Sequence, residues 1–175
     1  MSTIAVVLAV ALVGCSDSTA SKAAGTGSTV VGSTNTTEPP GLQGQPTTID
    51  KVTVGQCAND VPDLNQRLFA VLLIGCEQRH TYEVYFQFRY PAGAAAMPAG
   101  TPYPGETVVR KASETECYNQ FEAWMGSPWT ESNFDIQTWW PSKVSWNTVN
   151  DRRVTCAGYQ LSGKKSVGSA RGTKG

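Results

Sequence analysis

The alternation of apolar and polar positions along the chain is clearest between His80 and Tyr90. A period of two predicts a β-strand with one buried face, which here would be aromatic. The predicted buried face holds Tyr82, Val84, Phe86, Phe88 and Tyr90, and the other face holds Thr81, Glu83, Tyr85, Gln87 and Arg89. A continuous apolar run from Leu68 to Ile74 predicts a central strand. We expect the two strands to pair as a hairpin through residues 75–79.

A single long helix is predicted over residues 105–125, where helix-forming residues carry a recurring set of apolar positions. Gly126 and Pro128 follow directly and are typical of a helix end. The pattern then returns to β-like segments at residues 134–140 and 152–160, with a break at Pro141-Ser142. These elements predict an α+β fold, a small antiparallel β-sheet with one long helix packed across it.

The first residues read as a targeting segment. An apolar stretch from Ile4 to Val13 is too short to span a bilayer and is typical of a signal peptide. It ends in Leu12-Val13-Gly14-Cys15, which resembles the bacterial lipobox, the cleavage and lipidation motif of exported lipoproteins. We therefore predict lipidation at Cys15 and export to the outer face of the cell membrane. The alternative is a short buried strand with an ordinary core cysteine.

Four parts of the chain follow from these patterns. Residues 1–14 are predicted to be the signal peptide, and residues 15–48 a lipidated, flexible tether rich in Ser, Thr and Gly. Residues 49–161 would form the folded domain. Residues 162–175 read as a disordered basic tail, either solvated or touching anionic lipid headgroups.

Four cysteines remain once Cys15 is set aside, an even number that favours two disulfides in an exported protein. Cys57 and Cys76 flank a segment that could fold back locally. Cys117 lies on the apolar face of the predicted helix and Cys156 in a predicted strand, so a bond between them would join helix to sheet. We therefore predict the pairs Cys57–Cys76 and Cys117–Cys156.

A zinc site is the alternative for these thiols, because Cys76 and His80 stand four residues apart. The chain has a single histidine and no paired C-x₂-C element, so we expect no metal and no other cofactor. His80 and Glu83 are separated by an odd number of residues, which in a strand would place them on opposite faces. The chain also lacks a G-x-S-x-G elbow and a phosphate-binding loop. We therefore expect a protein that is not an enzyme.

Composition favours a binding module. Acidic and basic residues are equal in number, 14 of each, which argues against a nucleic acid partner. All five tryptophans lie after residue 120. The adjacent Trp139 and Trp140 must face opposite sides of a strand, so one of them could contact a ligand. The candidate binding surface comprises Trp139, Trp140, Trp146 and His80.

The domain resembles the actinobacterial septum-formation domain family of secreted or membrane-tethered modules over most of residues 49–161. The motifs that carry this resemblance are Val54-Gly55-Gln56-Cys57, Cys76 through His80 to Glu83-Val84, the helix with Cys117 and Phe121, and Pro141, Trp146, Asp151, Arg152 and Val154-Thr155-Cys156. Arg79 and Gln56 depart from the family pattern, which usually has proline and an acidic residue at these positions. The resemblance implies a non-enzymatic envelope lipoprotein of septum formation or cell-wall processes, with cell-wall polymer or division and envelope proteins as partners. The alternatives are a purely structural envelope lipoprotein and an enzyme acting on envelope material.

Overall fold

The computed structural model describes residues 44–63, 65 and 69–175 of the chain. Six strands form one antiparallel sheet in the order β1-β3-β2-β4-β6-β5. The strands are β1 (Gln45–Thr48), β2 (Cys57–Asp60), β3 (Ala70–Ile74), β4 (Tyr82–Arg89), β5 (Phe134–Trp139) and β6 (Arg153–Gln160). The helices are α1 (Glu106–Met125) and α2 (Lys143–Thr148), with short 3₁₀ turns at Ile49–Lys51 and Trp129–Glu131. The α+β class, with one long helix and an antiparallel sheet, is confirmed.

Helix α1 owes its position to an apolar stripe along one side. Its buried residues recur at helical spacing and are Val109, Ser113, Cys117, Phe121, Trp124 and Met125. The helix ends where Gly126 adopts the left-handed conformation, with φ of 83°, which glycine adopts without steric cost. Trp124 crosses the sheet directly over Gly158, where any Cβ atom would collide with the indole ring. We call the sheet surface that α1 covers the helix face, and the opposite surface the far face.

The predicted hairpin between the apolar run at residues 68–74 and the aromatic strand at residues 80–90 is wrong. Strand β2 lies between β3 and β4 and pairs with both of them. Cys57 stands opposite Ile74 on one side and Glu83 on the other. Because β2 is only four residues long and carries Asn59 and Asp60, its sequence gives no alternating apolar signal.

The prediction that one face of the aromatic strand is buried is also wrong. The pairing of β4 with β6 shifts register between Val84 and Phe86, and such a bulge moves the following side chains to the other face of the sheet. Val84 therefore packs on the far face with Ala157, whereas Phe86 and Phe88 pack on the helix face. Both sides of β4 contribute to the core.

The last residues of the chain are packed, so the predicted disordered tail at residues 162–175 is wrong. The backbone of Ser166 pairs with that of His80, and Gly168 donates to the carbonyl of Cys76. Further on, Gly172 and Lys174 donate to the last carbonyls of α1, those of Trp124 and Met125. Glycine suggests flexibility from composition, but Gly168 and Gly172 adopt φ of 81° and 72°, conformations that glycine takes without steric cost, and so let the segment turn along the domain.

The domain boundaries therefore differ from the predicted 49–161. Strand β1 pairs with β3 from Gln45 onward, inside the predicted tether, and the packed C-terminal segment continues past residue 161. The predicted signal peptide, the Cys15 lipidation site and the tether up to residue 43 lie outside the described residues. Within the described part of the chain, no helix has both the length and the apolar character needed to cross a bilayer.

Candidate functional site

Both predicted disulfides are confirmed. Cys57 is bonded to Cys76 and Cys117 to Cys156, with Cα atoms 5.1 and 5.5 Å apart. The second bond ties α1 to β6 in the core of the helix face, where both of its cysteines are fully buried. The cysteines described in the structure are therefore oxidised and serve as cross-links between elements.

His80 and Glu83 lie close together, so the prediction that they face opposite sides of the sheet is wrong. Their side chains and the Sγ atom of Cys57 bring one ligand atom each within 4.8 Å of one another. The reason is that His80 precedes β4 and pairs its backbone with Ser166, so the alternation within β4 does not extend to it.

The donor chemistry of this group does not suit a metal ion. The Cys57 sulfur is already in a disulfide and is no thiolate ligand. The Glu83 carboxylate accepts hydrogen bonds from the Trp124 indole at 3.3 Å, the Ser169 hydroxyl at 2.6 Å and the Ala170 amide at 2.7 Å. One of these bonds comes from α1 and the other two come from the C-terminal segment, so Glu83 fixes the C-terminal segment to α1 and β4.

His80 is a structural residue rather than part of a binding surface. Its side chain is 1% exposed, and its Nδ1 atom lies 2.9 Å from the carbonyl oxygen of Gln78, which an Nδ1–H would donate to. The predicted role of His80 in the surface is therefore wrong, because the residues that cover it shut it off from any large ligand.

Trp146 is likewise buried, at 2% exposure, and the prediction that it belongs to the surface is wrong. It lies on α2, which Ser142 begins with a capping box shared with Ser145. The indole N–H donates to the carbonyl of Thr101 at 2.7 Å, and the Arg152 guanidinium stacks 3.4 Å above the ring. Sequence reasoning took Pro141-Ser142 for a break and missed this helix.

Arg152 completes this structural cluster. Its Nη1 atom donates to the carbonyls of Trp146 and Asp151, and among the described residues no partner accepts from its Nε atom. Burial lowers the pKa of Arg152 from its ordinary value, and the charge of Arg89 adds to this, while Asp151 opposes it. Arginine nevertheless stays charged in proteins, so the stacked cation persists.

Trp139 and Trp140 border a groove of about 490 Å³ at the end of β5, which we call the tryptophan groove. Its aromatic residues are Phe69, Tyr103, Trp139 and Trp140. Its polar residues are Glu106, Gln137, Thr138, Ser142 and Lys143. Aromatic and hydrogen-bonding groups share one concave surface, which is the usual composition of a small-ligand site.

The two tryptophans reach the groove from opposite faces of the sheet, as predicted for neighbours in a strand. Trp139 packs on the far face, with its ring 5.4 Å from that of Tyr82. Trp140 packs against the cluster on the helix face and is only partly buried. Because β5 ends here, both residues line the same groove.

The indole N–H groups separate the five tryptophans into two sets. Trp124 donates to Glu83, Trp129 to Asp135 and Trp146 to Thr101. No residue in the described part of the chain accepts a hydrogen bond from the indole of Trp139 or Trp140. The two unpaired indoles are the two that border the tryptophan groove.

The described residues of the tryptophan groove include one charge of each sign. Glu106 stands in the first turn of α1, and Lys143 begins α2. The pKa of Tyr103 is raised from its ordinary value, first by burial and then by the nearby charge of Glu106 and by Tyr90. Among the described lining residues there is one carboxylate and one ammonium group, and their charges offset each other.

A second, more open hollow of about 640 Å³ lies beside Tyr118 and Trp129. Asp135, behind it, already accepts from the Trp129 indole at 3.0 Å and the Tyr159 hydroxyl at 3.1 Å. Burial and the charge of Asp135 raise the pKa values of both Tyr118 and Tyr159. The Trp129 indole is therefore already paired, and the hollow is more open to solvent than the tryptophan groove, which makes it a weaker candidate.

Several groove residues were missed by sequence reasoning. Phe69, Tyr103 and Glu106 come from loops and a helix start far from Trp140 along the chain. Nothing in their local sequence indicates that they meet, because the fold alone brings them together. The importance of Glu83 is indicated in the sequence only by the Glu83-Val84 motif of the family resemblance.

Comparison with known proteins supports the resemblance and extends it at the C-terminal end from residue 161 to residue 174. The family model described as "Septum formation" matches residues 54–174, more than half of the chain, and includes the packed C-terminal segment. No curated protein and no solved structure matches the chain. Family membership indicates a role in septum or cell-wall processes, and the disulfides agree with an extracellular or envelope location. The chain belongs to the septum formation family.

Proposed function

We propose that this protein is a non-enzymatic lipoprotein of the cell envelope that acts as a binding module through the tryptophan groove. It would be held at the outer face of the membrane by lipid on Cys15. Its partner would be a cell-wall polymer or a division or envelope protein. The observation that carries the proposal is the groove itself, where the indoles of Trp139 and Trp140 have no acceptor among the described residues.

Export is supported by independent features. The two disulfides suit an oxidising compartment, in which such bonds persist. The apolar segment before Cys15 has the length and ending of a lipoprotein signal peptide. Lipid chains on an N-terminal cysteine give the two-signal anchoring that stable membrane attachment needs.

A binding role without catalysis is supported by the residues that line the groove. Glu106 is the single carboxylate among the described groove residues, whereas glycoside hydrolysis ordinarily uses a pair of carboxylates flanking the bond. The histidine is buried elsewhere, and the described cysteines are in disulfides. The groove therefore offers aromatic and hydrogen-bonding contact groups, and its Ser142 hydroxyl is engaged with Ser145 in the cap of α2.

Retention by isolated envelopes tests the binding role. The full chain with Cys15→Ser, which lacks the anchor, is mixed with washed envelope material and sedimented. We expect it to sediment, and we expect Trp140→Ala in the same background to stay in the supernatant. Trp129→Ala is the matched control, since Trp129 is an exposed tryptophan outside the groove. Equal sedimentation of Trp140→Ala, with an unchanged thermal unfolding midpoint, would contradict the proposal.

Intact mass tests the anchor. The membrane-extracted wild-type protein is measured before and after reduction and alkylation. We expect a chain that begins at a lipid-bearing Cys15, with alkylation of the other four cysteines only after reduction. An unprocessed chain would contradict the proposed location.

A further inference from the structure

The unpaired indole groups of the tryptophan groove point to a ligand that brings hydrogen-bond acceptors. Indole N–H groups that are largely buried usually find a partner, as those of Trp124 and Trp146 do. Trp139 is 8% exposed and has no acceptor among the described residues, and its indole nitrogen is not one of the fully buried atoms that lack a partner, so this donor keeps contact with solvent. Two donors in one groove, with nothing in the described chain to receive them, fit a ligand that carries oxygen atoms at more than one position.

The aromatic residues of the groove add a requirement of shape. Phe69 is 57% exposed, and Trp140 and Tyr103 are partly exposed beside it. Aromatic rings carry a negative face, which attracts the weakly positive C–H groups of a flat apolar surface. A sugar ring combines such a C–H surface with hydroxyl groups around its rim, so it satisfies the rings and the indole donors together.

The polar lining favours a sugar over the other ligands that aromatic grooves bind. The Ser142 hydroxyl is held by Ser145, and the Gln137 amide donates to the Thr138 carbonyl. No described residue bonds to the Gln137 Oε1 atom or the Thr138 hydroxyl, which leaves an acceptor and a hydroxyl for a ligand rich in hydroxyl groups. Grooves for proline-rich peptides are lined mainly by aromatic residues. A polyanion is disfavoured as well, because Glu106 offsets the charge of Lys143. A volume of about 490 Å³ lies in the range of small-molecule sites.

We infer that the tryptophan groove is a saccharide-binding site for an uncharged oligosaccharide. Sugar rings stack on Trp140 and its aromatic neighbours, and sugar oxygens accept hydrogen bonds from the indoles of Trp139 and Trp140. This inference rests on the proposed binding function and names the class of its ligand.

Calorimetric titration of the full chain with Cys15→Ser tests the inference, once its mass shows both disulfides intact. The probes are the β-linked tetramer of N-acetylglucosamine, the β-linked tetramer of glucose, a polyproline decamer and polyphosphate. We expect at least one of the oligosaccharides to bind, and polyproline and polyphosphate not to. Raising NaCl from about 50 to about 500 mM should change the affinity for an uncharged sugar by less than about twofold.

Two variants separate the contributions of Trp140. Trp140→Phe keeps an aromatic ring and removes the donor, so a loss of roughly two- to tenfold in affinity is expected for one hydrogen bond. Trp140→Ala removes both, and we expect a loss of at least about tenfold. Trp129→Ala should bind as the parent does. An unchanged far-UV spectrum and a cooperative thermal transition show that each variant is folded.

The outcomes distinguish this inference from the proposed function. If envelopes retain the protein through Trp140 but neither oligosaccharide binds, the inference is overturned and the binding function stands. If polyproline or polyphosphate binds in place of the sugars, the ligand class is wrong. If neither envelope retention nor sugar binding depends on Trp140, both proposals fail.

Discussion

Two pairs of tryptophans in this domain have different surroundings. Trp124 and Trp146 are each 2% exposed, donate to an acceptor inside the protein and pack on other rings or on a cation. Trp139 and Trp140 lie at the end of β5, border a groove and have no internal acceptor in the described chain. The same residue type thus builds the core in one region and leaves donors available for a ligand in the other.

To sharpen this contrast, the largest loss of stability is expected from Trp124→Ala. Trp124 stacks on Tyr85 with ring centres 4.8 Å apart and also contacts Phe121 and Phe134. Removing a large buried aromatic side chain should lower the free energy of unfolding by about 3 to 5 kcal/mol. Urea denaturation measures this. A loss similar to that of the exposed Trp129→Ala control would contradict the structural role.

The second effect is the loss of the bond between Cys117 and Cys156. Replacing both with serine should cost about 4 kcal/mol, because the bond closes a long loop in the unfolded chain. The two cysteines are 39 residues apart, against 19 for Cys57 and Cys76, so loss of the shorter loop should cost less, about 3 kcal/mol. Urea denaturation of the two double variants gives the order. The reverse order would show that packing or strain outweighs loop closure.

The third effect concerns Glu83, the acceptor for Trp124. Glu83→Gln weakens the bonds to Ser169 and Ala170 and should lower the free energy of unfolding by about 1 to 3 kcal/mol. Hydrogen exchange should speed up most at the amides of Ala170 and Gly172. Glu122→Gln, on the exposed side of α1, is the control. Unchanged exchange at both amides would show that the C-terminal segment is held without Glu83.

The smallest expected effect is a dependence of stability on pH that arises from Tyr85. Burial raises the pKa of Tyr85, with smaller contributions from Tyr118 and Asp135, while its hydroxyl donates to the Cys117 carbonyl at 2.7 Å. The folded state then keeps a proton that the unfolded chain loses above about pH 10. Stability should therefore be complete below that pH and fall above it, by at most about 1.4 kcal/mol per pH unit. Urea denaturation of Tyr85→Phe from pH 8 upward should show a shallower fall, and an equal slope would contradict this.

The sequence was a good guide where one segment carries its own signal. The apolar spacing of α1 and its ending at Gly126 predict the helix to within one residue of its observed start. The disulfide pairing followed from placing Cys117 on a helix face and Cys156 in a strand. These features depend on local periodicity, which the tertiary structure did not override.

The sequence failed where a backbone contact or an irregularity decides the outcome. Strand β2 has too few residues to show a period, and the bulge after Val84 reverses the alternation that Tyr82 and Val84 begin. The C-terminal segment is held through backbone hydrogen bonds and through Glu83, neither of which composition reveals. For the site, the pair Trp139 and Trp140 could be singled out, but their partners in the groove could not.

The indole signals of the five tryptophans provide the most direct test of the account. In a two-dimensional ¹H–¹⁵N spectrum each indole N–H gives one peak, which single Trp→Phe variants assign. We predict that the Trp139 and Trp140 peaks exchange faster with water than those of Trp124 and Trp146, and that they shift when the binding oligosaccharide is added. The Trp124, Trp129 and Trp146 peaks should stay in place. Protected groove indoles in the free protein, or a ligand shift confined to the other three, would contradict the division between core and groove.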